Sequence, residues 1–330
     1  MQINSRPGRA RRATNLTLMH LGEGGSIDVA EVVAGLAGTP KRLPPKLFYD
    51  TRGSRLFNAI CATEAYYPTR TERTILIEHA GAIARAVGPD STVLEFGPGD
   101  MSKVRLLLDA LRPAAYVGVE ISRTQLAEAA AALALQYPWL EVVGICADFS
   151  TDRLESLPLP DNRHRVVFFP GSTIGNFEPE DARRFLSTLA RVVGSDGAVL
   201  IGVDFQKPAE ILNSAYNDPQ GLTRDFNLNL LTRLNRELDG DFDLRRFRHR
   251  AFYNEAMERV EMHLVSIVAQ TVHVAGTVIT FAAGESIHTE NSHKYTPADF
   301  LRLAQSAGFA GHQLWTDARG WFGVFLLTAK

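Results

Sequence analysis

The chain has 330 residues, with 35 Lys and Arg against 37 Asp and Glu for a formal net charge of −2, and 45% hydrophobic residues. This is the balance of an ordinary globular protein, and it argues against a nucleic-acid or membrane-surface binder, which needs a basic excess to meet phosphates. Cys61 and Cys146 are the two cysteines, each without CxxC or Cys/His spacing, so no metal is expected and the compartment reads as reducing, that is cytoplasmic. No apolar run approaches the roughly 18–20 residues of a membrane span, and no signal-peptide core opens the chain. Arg6, Arg9, Arg11 and Arg12 fall in a polar opening that reads as a solvated tail.

Taken in chain order, the pattern predicts a helix over residues 27–37. From Pro44 the text is turn-rich and aromatic, through Phe48, Tyr49, Asp50, Gly53 and Phe57 to Tyr66-Tyr67-Pro68-Thr69-Arg70. The proline ring is expected to hold Tyr67 extended, and the segment reads as a binding loop. From Thr71 helices and strands alternate: helix 72–87, strand 92–96, helix 102–111, strand 115–119, helix 124–136, strand 141–146, strand 165–169, helix 179–193 and strand 198–203. That alternation predicts a parallel sheet with covering helices. After Asp204 it stops. Helices 209–215 and 221–238 are followed by antiparallel strands 251–254, 259–269 and 271–281, then by helix 297–307 and a closing strand 323–328. The fold class is therefore α/β, a doubly wound Rossmann-like sheet with an inserted α+β unit. The expected division is 71–204 plus 294–330 for the first domain and 1–70 plus 205–293 for the second.

The strongest local constellation is Leu94-Glu95-Phe96-Gly97-Pro98-Gly99-Asp100 at the end of the first of these strands. Its glycines let a backbone turn approach a ligand, and the helix that follows presents unpaired N–H groups. The dinucleotide fingerprint needs a third glycine where Ser102 stands, so a nicotinamide enzyme is disfavoured. Glu120, 21 residues after Gly99, ends the next strand, where a carboxylate accepts both ribose hydroxyls. Asp148 and Phe149 end the third, where an acid can receive an exocyclic amine and an aromatic can cover a purine. Glycine, ribose acid and adenine acid on three successive strand ends describe an S-adenosylmethionine pocket better than a nicotinamide one. Lys103, a cation opposing the helix dipole, suggests a negative partner such as the methionine carboxylate of that cofactor.

Gly171-Ser172-Thr173-Ile174-Gly175-Asn176-Phe177 follows the fourth strand, where an open sheet builds its ligand crevice. Two polar strings, Ala215-Tyr216-Asn217-Asp218-Pro219 and Ile287-His288-Thr289-Glu290-Asn291-Ser292-His293-Lys294-Tyr295, lie near the expected domain junctions. With Tyr66–Glu72, Glu261-Met262-His263-Leu264 and Trp315-Thr316-Asp317, these long strings make the chain resemble the histidine-specific, S-adenosylmethionine-dependent methyltransferases of ergothioneine biosynthesis, the EgtD family, from Pro44 to Leu327. The departure is Gly97-Pro98-Gly99-Asp100-Met101, where that family carries serines around its glycines.

The resemblance implies a class I methyltransferase fold and transfer of three methyl groups to the α-amino nitrogen of L-histidine, giving hercynine and S-adenosylhomocysteine. It implies that Gly97, Lys103, Glu120, Asp148 and Phe149 hold the cofactor. Asn176 and Tyr216 would take the amino acid's backbone end with Tyr66 or its neighbour Tyr67 nearby, Tyr66 and Asn176 being the catalytic candidates. Glu290 and Ser292 would hold the imidazole, and Met262 would line its ring. The partner implied is this small molecule, with no nucleic acid or membrane, and the enzyme is expected to act as a monomer. The alternative acceptor is another amino acid such as tryptophan or a derivative, but an acid and a hydroxyl two residues apart suit an imidazole with two nitrogens better than an indole.

Overall fold

The computed structural model describes residues 15–21, 27–148, 154–160 and 164–329; Phe149 and the N-terminal arginines lie outside these. An eight-stranded sheet forms the centre. Its strands are β1 (Leu16–His20), β3 (Ser91–Phe96), β4 (Ala115–Glu120), β5 (Glu141–Cys146), β6 (His164–Phe169), β7 (Ala198–Asp204), β13 (Phe309–Thr316) and β14 (Phe322–Ala329), in the order β1-β5-β4-β3-β6-β7-β14-β13. The pairs from β1 to β7 are parallel, whereas β14 runs antiparallel to both β7 and β13. β3 and β4 are buried along their whole length, as continuous apolar strands covered on two faces must be.

Helices α3 (Tyr67–Val87), α4 (Arg105–Leu111) and α5 (Arg123–Gln136) share one apolar core with the sheet, and α6 (Pro179–Val193) and α9 (Pro297–Ser306) share the other. Local chemistry fixes their ends. α6 opens on Pro179 with Glu180 and Asp181 in its first turn, carries Arg191 in its last, and stops at Gly194 with φ of 71°. The strand order reverses at β3, between β4 and β6, which makes the C-terminal end of β3 the place for a ligand crevice.

A third core gathers residues from two distant stretches, 32–67 and 212–287. It joins α1 (Val29–Ala37), α2 (Thr51–Cys61), α7 (Ala209–Ala215) and α8 (Leu222–Glu237) to a four-stranded sheet ordered β2-β12-β9-β8. Those strands are β2 (Lys41–Arg42), β8 (Phe247–Asn254), β9 (Arg259–Ser266) and β12 (Ser286–His293).

Several expectations need correction. Residues 16–20, placed with the second unit, instead extend the edge of the large sheet through β5. The aromatic loop contains a helix, α2, because Asp50 caps it by accepting the Gly53 N–H at 2.7 Å, and Gly53 lets the backbone pass Phe48 where a Cβ would meet its carbonyl at 1.7 Å. Tyr67 is helical rather than extended. Pro68 stands in the first turn of α3, where its missing N–H leaves nothing unpaired. The strand expected over 271–281 is a hairpin of β10 (Gln270–Val274) and β11 (Thr277–Phe281), turned at Ala275 and Gly276 with positive φ.

Candidate active site

The turn after β3 is built on Gly97 and Gly99, with φ of 64° and 56°, and the Gly97 N–H donates to Val119 O at 2.8 Å, drawing the turn against the end of β4. Glu120 ends that strand at 7% exposure. Its carboxylate accepts the Gly99 N–H at 3.4 Å and the Ser122 N–H at 3.1 Å. Burial raises its pKa although those two donors pull the other way. Asp148, half-buried beyond β5, lies 3.9 Å from the Lys46 ammonium and shares a surface cavity with Tyr49, Ile121 and Ser122. A bent glycine turn, a buried acid with unshared lone pairs and a second acid one strand on fit a ribose diol and an adenine amine. Lys103 already has an anion: its Nζ is 2.6 Å from Glu72, and the other Glu72 oxygen accepts the Gly171 N–H at 2.7 Å.

A second cavity opens beside this turn. Its floor is the loop after β6, where Ser172 adopts a left-handed φ of 57° and its hydroxyl accepts the Asp204 N–H at 2.9 Å. The 3-10 turn Thr173–Asn176 then presses on β12 so closely that a Cβ on Gly175 would stand 2.8 Å from His293 O. The walls carry Tyr49, Tyr66, Asn176, Tyr216, Met262 and Glu290.

Glu290 faces the cavity because β12 bulges between His288 and Glu290. Thr289 fixes the bulge by donating to Asn227 at 2.8 Å and to Met262 O at 3.0 Å, and a His288 ring nitrogen lies 3.1 Å from Glu290 O. Asn176 Nδ2 donates to the Glu290 carboxyl at 3.3 Å. Burial pushes that carboxyl up to about 8, against the pull of the Lys294 charge.

Beneath the cavity Tyr216 donates to Ser292 Oγ at 2.8 Å, and Lys294 donates to the same oxygen at 2.7 Å. Two donors occupy both lone pairs of Ser292, so its own proton is free for a ligand acceptor. Lys294 is held in turn by Asp204 at 2.7 Å, and Asp204 also binds Lys207 at 2.6 Å and the Tyr67 hydroxyl at 2.7 Å. Burial works to lower the Lys294 ammonium, and the Asp204 carboxylate outweighs it and leaves the ammonium raised. Of the two tyrosine candidates, Tyr66 lines the cavity and Tyr67 serves this buried network.

A profile of the family described as histidine-specific, SAM-dependent methyltransferase matches residues 28–329. Histidine N-alpha-methyltransferase of Mycolicibacterium smegmatis is 42% identical over 303 residues, which cover 90% of this chain and 93% of that one. Histidine N-alpha-methyltransferase of Mycobacterium tuberculosis is 40% identical over 315 residues, 93% and 97% of the two chains. The Neurospora crassa protein named Ergothioneine biosynthesis protein 1 is 32% identical over 309 residues, 87% of this chain but 33% of its own length. This chain belongs to the histidine-specific, S-adenosylmethionine-dependent methyltransferases.

In this histidine-specific methyltransferase, Asp148 and the residues just past Glu120, Ile121 and Ser122, line one cavity, and Asn176, Glu290 and Ser292 line the other, with Tyr49 in the lining of both. Tyr49, Glu72, Asp204 and Lys294 were not singled out from the sequence. Tyr49, Glu72 and Lys294 lay inside quoted strings, and Asp204 directly followed a predicted strand, so position offered a signal; nothing marked Glu72 as buried. Among the polar strings, Asp218 caps α8 by accepting the Leu222 and Thr223 N–H groups at 2.8 and 2.7 Å. Glu261, His263 and His288 gather within 4.8 Å of one another in a metal-like group. Their atoms are engaged: Glu261 pairs with Arg259 and His263, each at 2.9 Å. Among the described residues no helix is long and apolar enough to cross a membrane.

Proposed function

We propose that this enzyme methylates the α-amino nitrogen of L-histidine three times to give hercynine, the opening step of ergothioneine biosynthesis, acting as a cytoplasmic monomer. The observation that carries the reading is the enclosed pairing of Glu290 with Ser292, an acid and a free hydroxyl proton facing one cavity next to the cofactor turn. The names of the mycobacterial and Neurospora relatives support it. In this reading Gly97, Lys103, Glu120, Asp148 and Phe149 hold the cofactor, and the large sheet and the third core form a cofactor domain and a substrate domain.

Bound S-adenosylmethionine supplies an electrophilic sulfonium methyl group. The chain's task is then to hold a neutral amine in line with it, a matter of proximity and orientation. Tyr66 and Asn176, which line the same cavity, hold that nitrogen in this reading. Burial raises the Tyr66 phenol well above its ordinary pKa, so it stays protonated and orients the amine without acting as its base. The amine's proton therefore leaves through water. As methyls accumulate the nitrogen loses its donors, and the aromatic rings of Tyr49, Phe57 and Tyr66 suit a trimethylammonium because cation–π contact with a ring face needs no N–H. Glu290 and Ser292 read the two imidazole nitrogens, with Met262 along the ring. Tyr216 takes the carboxylate end in this reading, turning its hydroxyl proton from Ser292 to the ligand to do so.

The test is a time course by mass spectrometry with labelled cofactor and each amino acid in turn, alongside dimethylhistidine and histamine. Histidine and dimethylhistidine should both end as the trimethylated product, with histamine a poor acceptor. Efficient methylation of tryptophan, or none of histidine, would overturn the reading.

A further inference from the structure

Glu72 is 1% exposed on α3, where the two ligand loops meet. One oxygen lies 2.6 Å from the Lys103 ammonium, on the turn that follows Gly99, and the other accepts the Gly171 N–H at 2.7 Å, on the loop that runs on to Asn176. The carboxylate reaches this point only because β7 offers Gly202, where a Cβ would stand 2.0 Å from Oε1. A Cβ on Gly171 would lie 3.0 Å from Lys103 Nζ, so the ammonium and the turn touch and share one anion. Burying a carboxylate is costly unless it is paired and hydrogen-bonded, and a residue needed only to fill this space would be apolar.

We propose that Glu72 is a positioning residue: it fixes Lys103 for the charged amino-acid tail of the cofactor and, through Gly171, fixes the loop that carries Asn176. The inference rests on the methyltransferase reading of the two cavities. Two effects of the carboxylate oppose each other. It cancels part of the Lys103 charge, and it removes the rotamer freedom of a long side chain that would otherwise be lost on binding. The tail it serves carries one ammonium and one carboxylate, so its net charge is zero and the lost attraction is small. Ordering wins, and Glu72 strengthens tail binding.

The experiment compares calorimetric affinities for S-adenosylhomocysteine and for 5′-methylthioadenosine, which has the same nucleoside but no amino-acid tail. Glu72→Gln keeps a carbonyl acceptor for Gly171 and loses the ion pair. It should weaken S-adenosylhomocysteine on the order of tenfold and leave methylthioadenosine within about twofold of the parent. In a Lys103→Met background the same change should add little, because the two residues act as one unit. Glu72→Leu, which also releases Gly171, should further lower histidine affinity measured with saturating S-adenosylhomocysteine. Should Glu72→Gln not fold, Glu72→Asp, which keeps the charge on a side chain too short to reach both Lys103 and Gly171, carries the same comparison, and its selective loss of S-adenosylhomocysteine is the expected result. An unchanged affinity ratio, an equal fall for both nucleosides, or additive losses in the double variant would each overturn the positioning role. A parent that binds neither nucleoside would overturn the methyltransferase reading and this inference with it.

Discussion

Asn176 donates to Glu290 across 3.3 Å, and that contact joins the loop after β6 to the bulge of β12. One sits on a loop of the large sheet and the other on a strand of the smaller one, so in the proposed reading the bond also relates the nucleophile's position to the ring's. Asn176→Ala should weaken histidine binding about tenfold, the loss of one hydrogen bond to an acid in a closed site. S-adenosylhomocysteine affinity should hold within about twofold, since no cofactor contact is touched. Calorimetry with each ligand checks both; equal losses would mean that the loop itself had collapsed.

The Glu290 carboxyl provides a test by acidity. Its folded pKa of about 8 lies above the ordinary 4.5 because burial disfavours the charge. Its contribution is therefore fully present below the unfolded value and declines as pH rises through that window, where the unfolded chain has already lost the proton that the folded chain keeps. In the parent this group lowers stability by up to about 1.4 kcal/mol per pH unit across the window. Glu290→Gln has nothing to ionise, so the variant should gain on the parent steadily from pH 5 to pH 8, roughly the span between the two states. Urea midpoints at several pH values give the difference curve, and a flat one would assign Glu290 an ordinary acidity.

Lys294 is 2% exposed, and its ammonium serves Asp204, Ser292 and Tyr216 together. Lys294→Met should destabilise the fold by about 3 kcal/mol, the low end for breaking a buried ion pair, because Lys207 still neutralises Asp204. It also frees one lone pair of Ser292, so histidine affinity should fall in any protein that stays folded. Thermal melts and calorimetry on the same samples separate the two effects.

Glu120→Ala should weaken S-adenosylmethionine and S-adenosylhomocysteine alike, by about 1.5–3 kcal/mol, because the ribose is common to both. Histidine would be affected only through the cofactor. Unchanged nucleoside affinity by calorimetry would make Glu120 a structural acid that merely ties Gly99 to Ser122.

Strands β3 to β7 were legible as unbroken apolar runs, and the glycine or acid at or just past the ends of β3, β4 and β5 marked a candidate ligand edge; β1 was not, because its residues are largely exposed at the sheet's edge. β12 was not legible as a strand: its alternation places Glu290 and Ser292 toward the cavity and polar Asn291 and His293 on the other side, so neither face is apolar. β13 was missed for a similar reason, since much of it is exposed at the sheet's edge. α2 was hidden by Gly53 and by its few apolar residues, and only the tertiary contact with Phe48 shows why a glycine is needed there. The aromatic segment reads from the sequence as a binding loop, and its Tyr49, Phe57 and Tyr66 line the second cavity. Which of Tyr66 and Tyr67 faces it depends on where α3 begins, a matter that Pro68 decides in three dimensions.

The chain passes between its two sheets twice in close company, at Asp204-Phe205 and at Lys294-Tyr295. There Phe205 pairs with Tyr295, Tyr295 N–H donates to Asp204 O at 3.3 Å, and Gln206 N–H donates to Tyr295 O at 3.0 Å. The side chains of Asp204 and Lys294, each 1% exposed, close the same joint as an ion pair. Swinging one sheet away from the other would have to separate buried opposite charges, so this double crossing works as a weld and not as a hinge. On the other side of the cleft Arg70 donates to Thr63 O and to Glu64 O, each at 2.8 Å, so the turn that leads to Tyr66 is strapped to α3 as well.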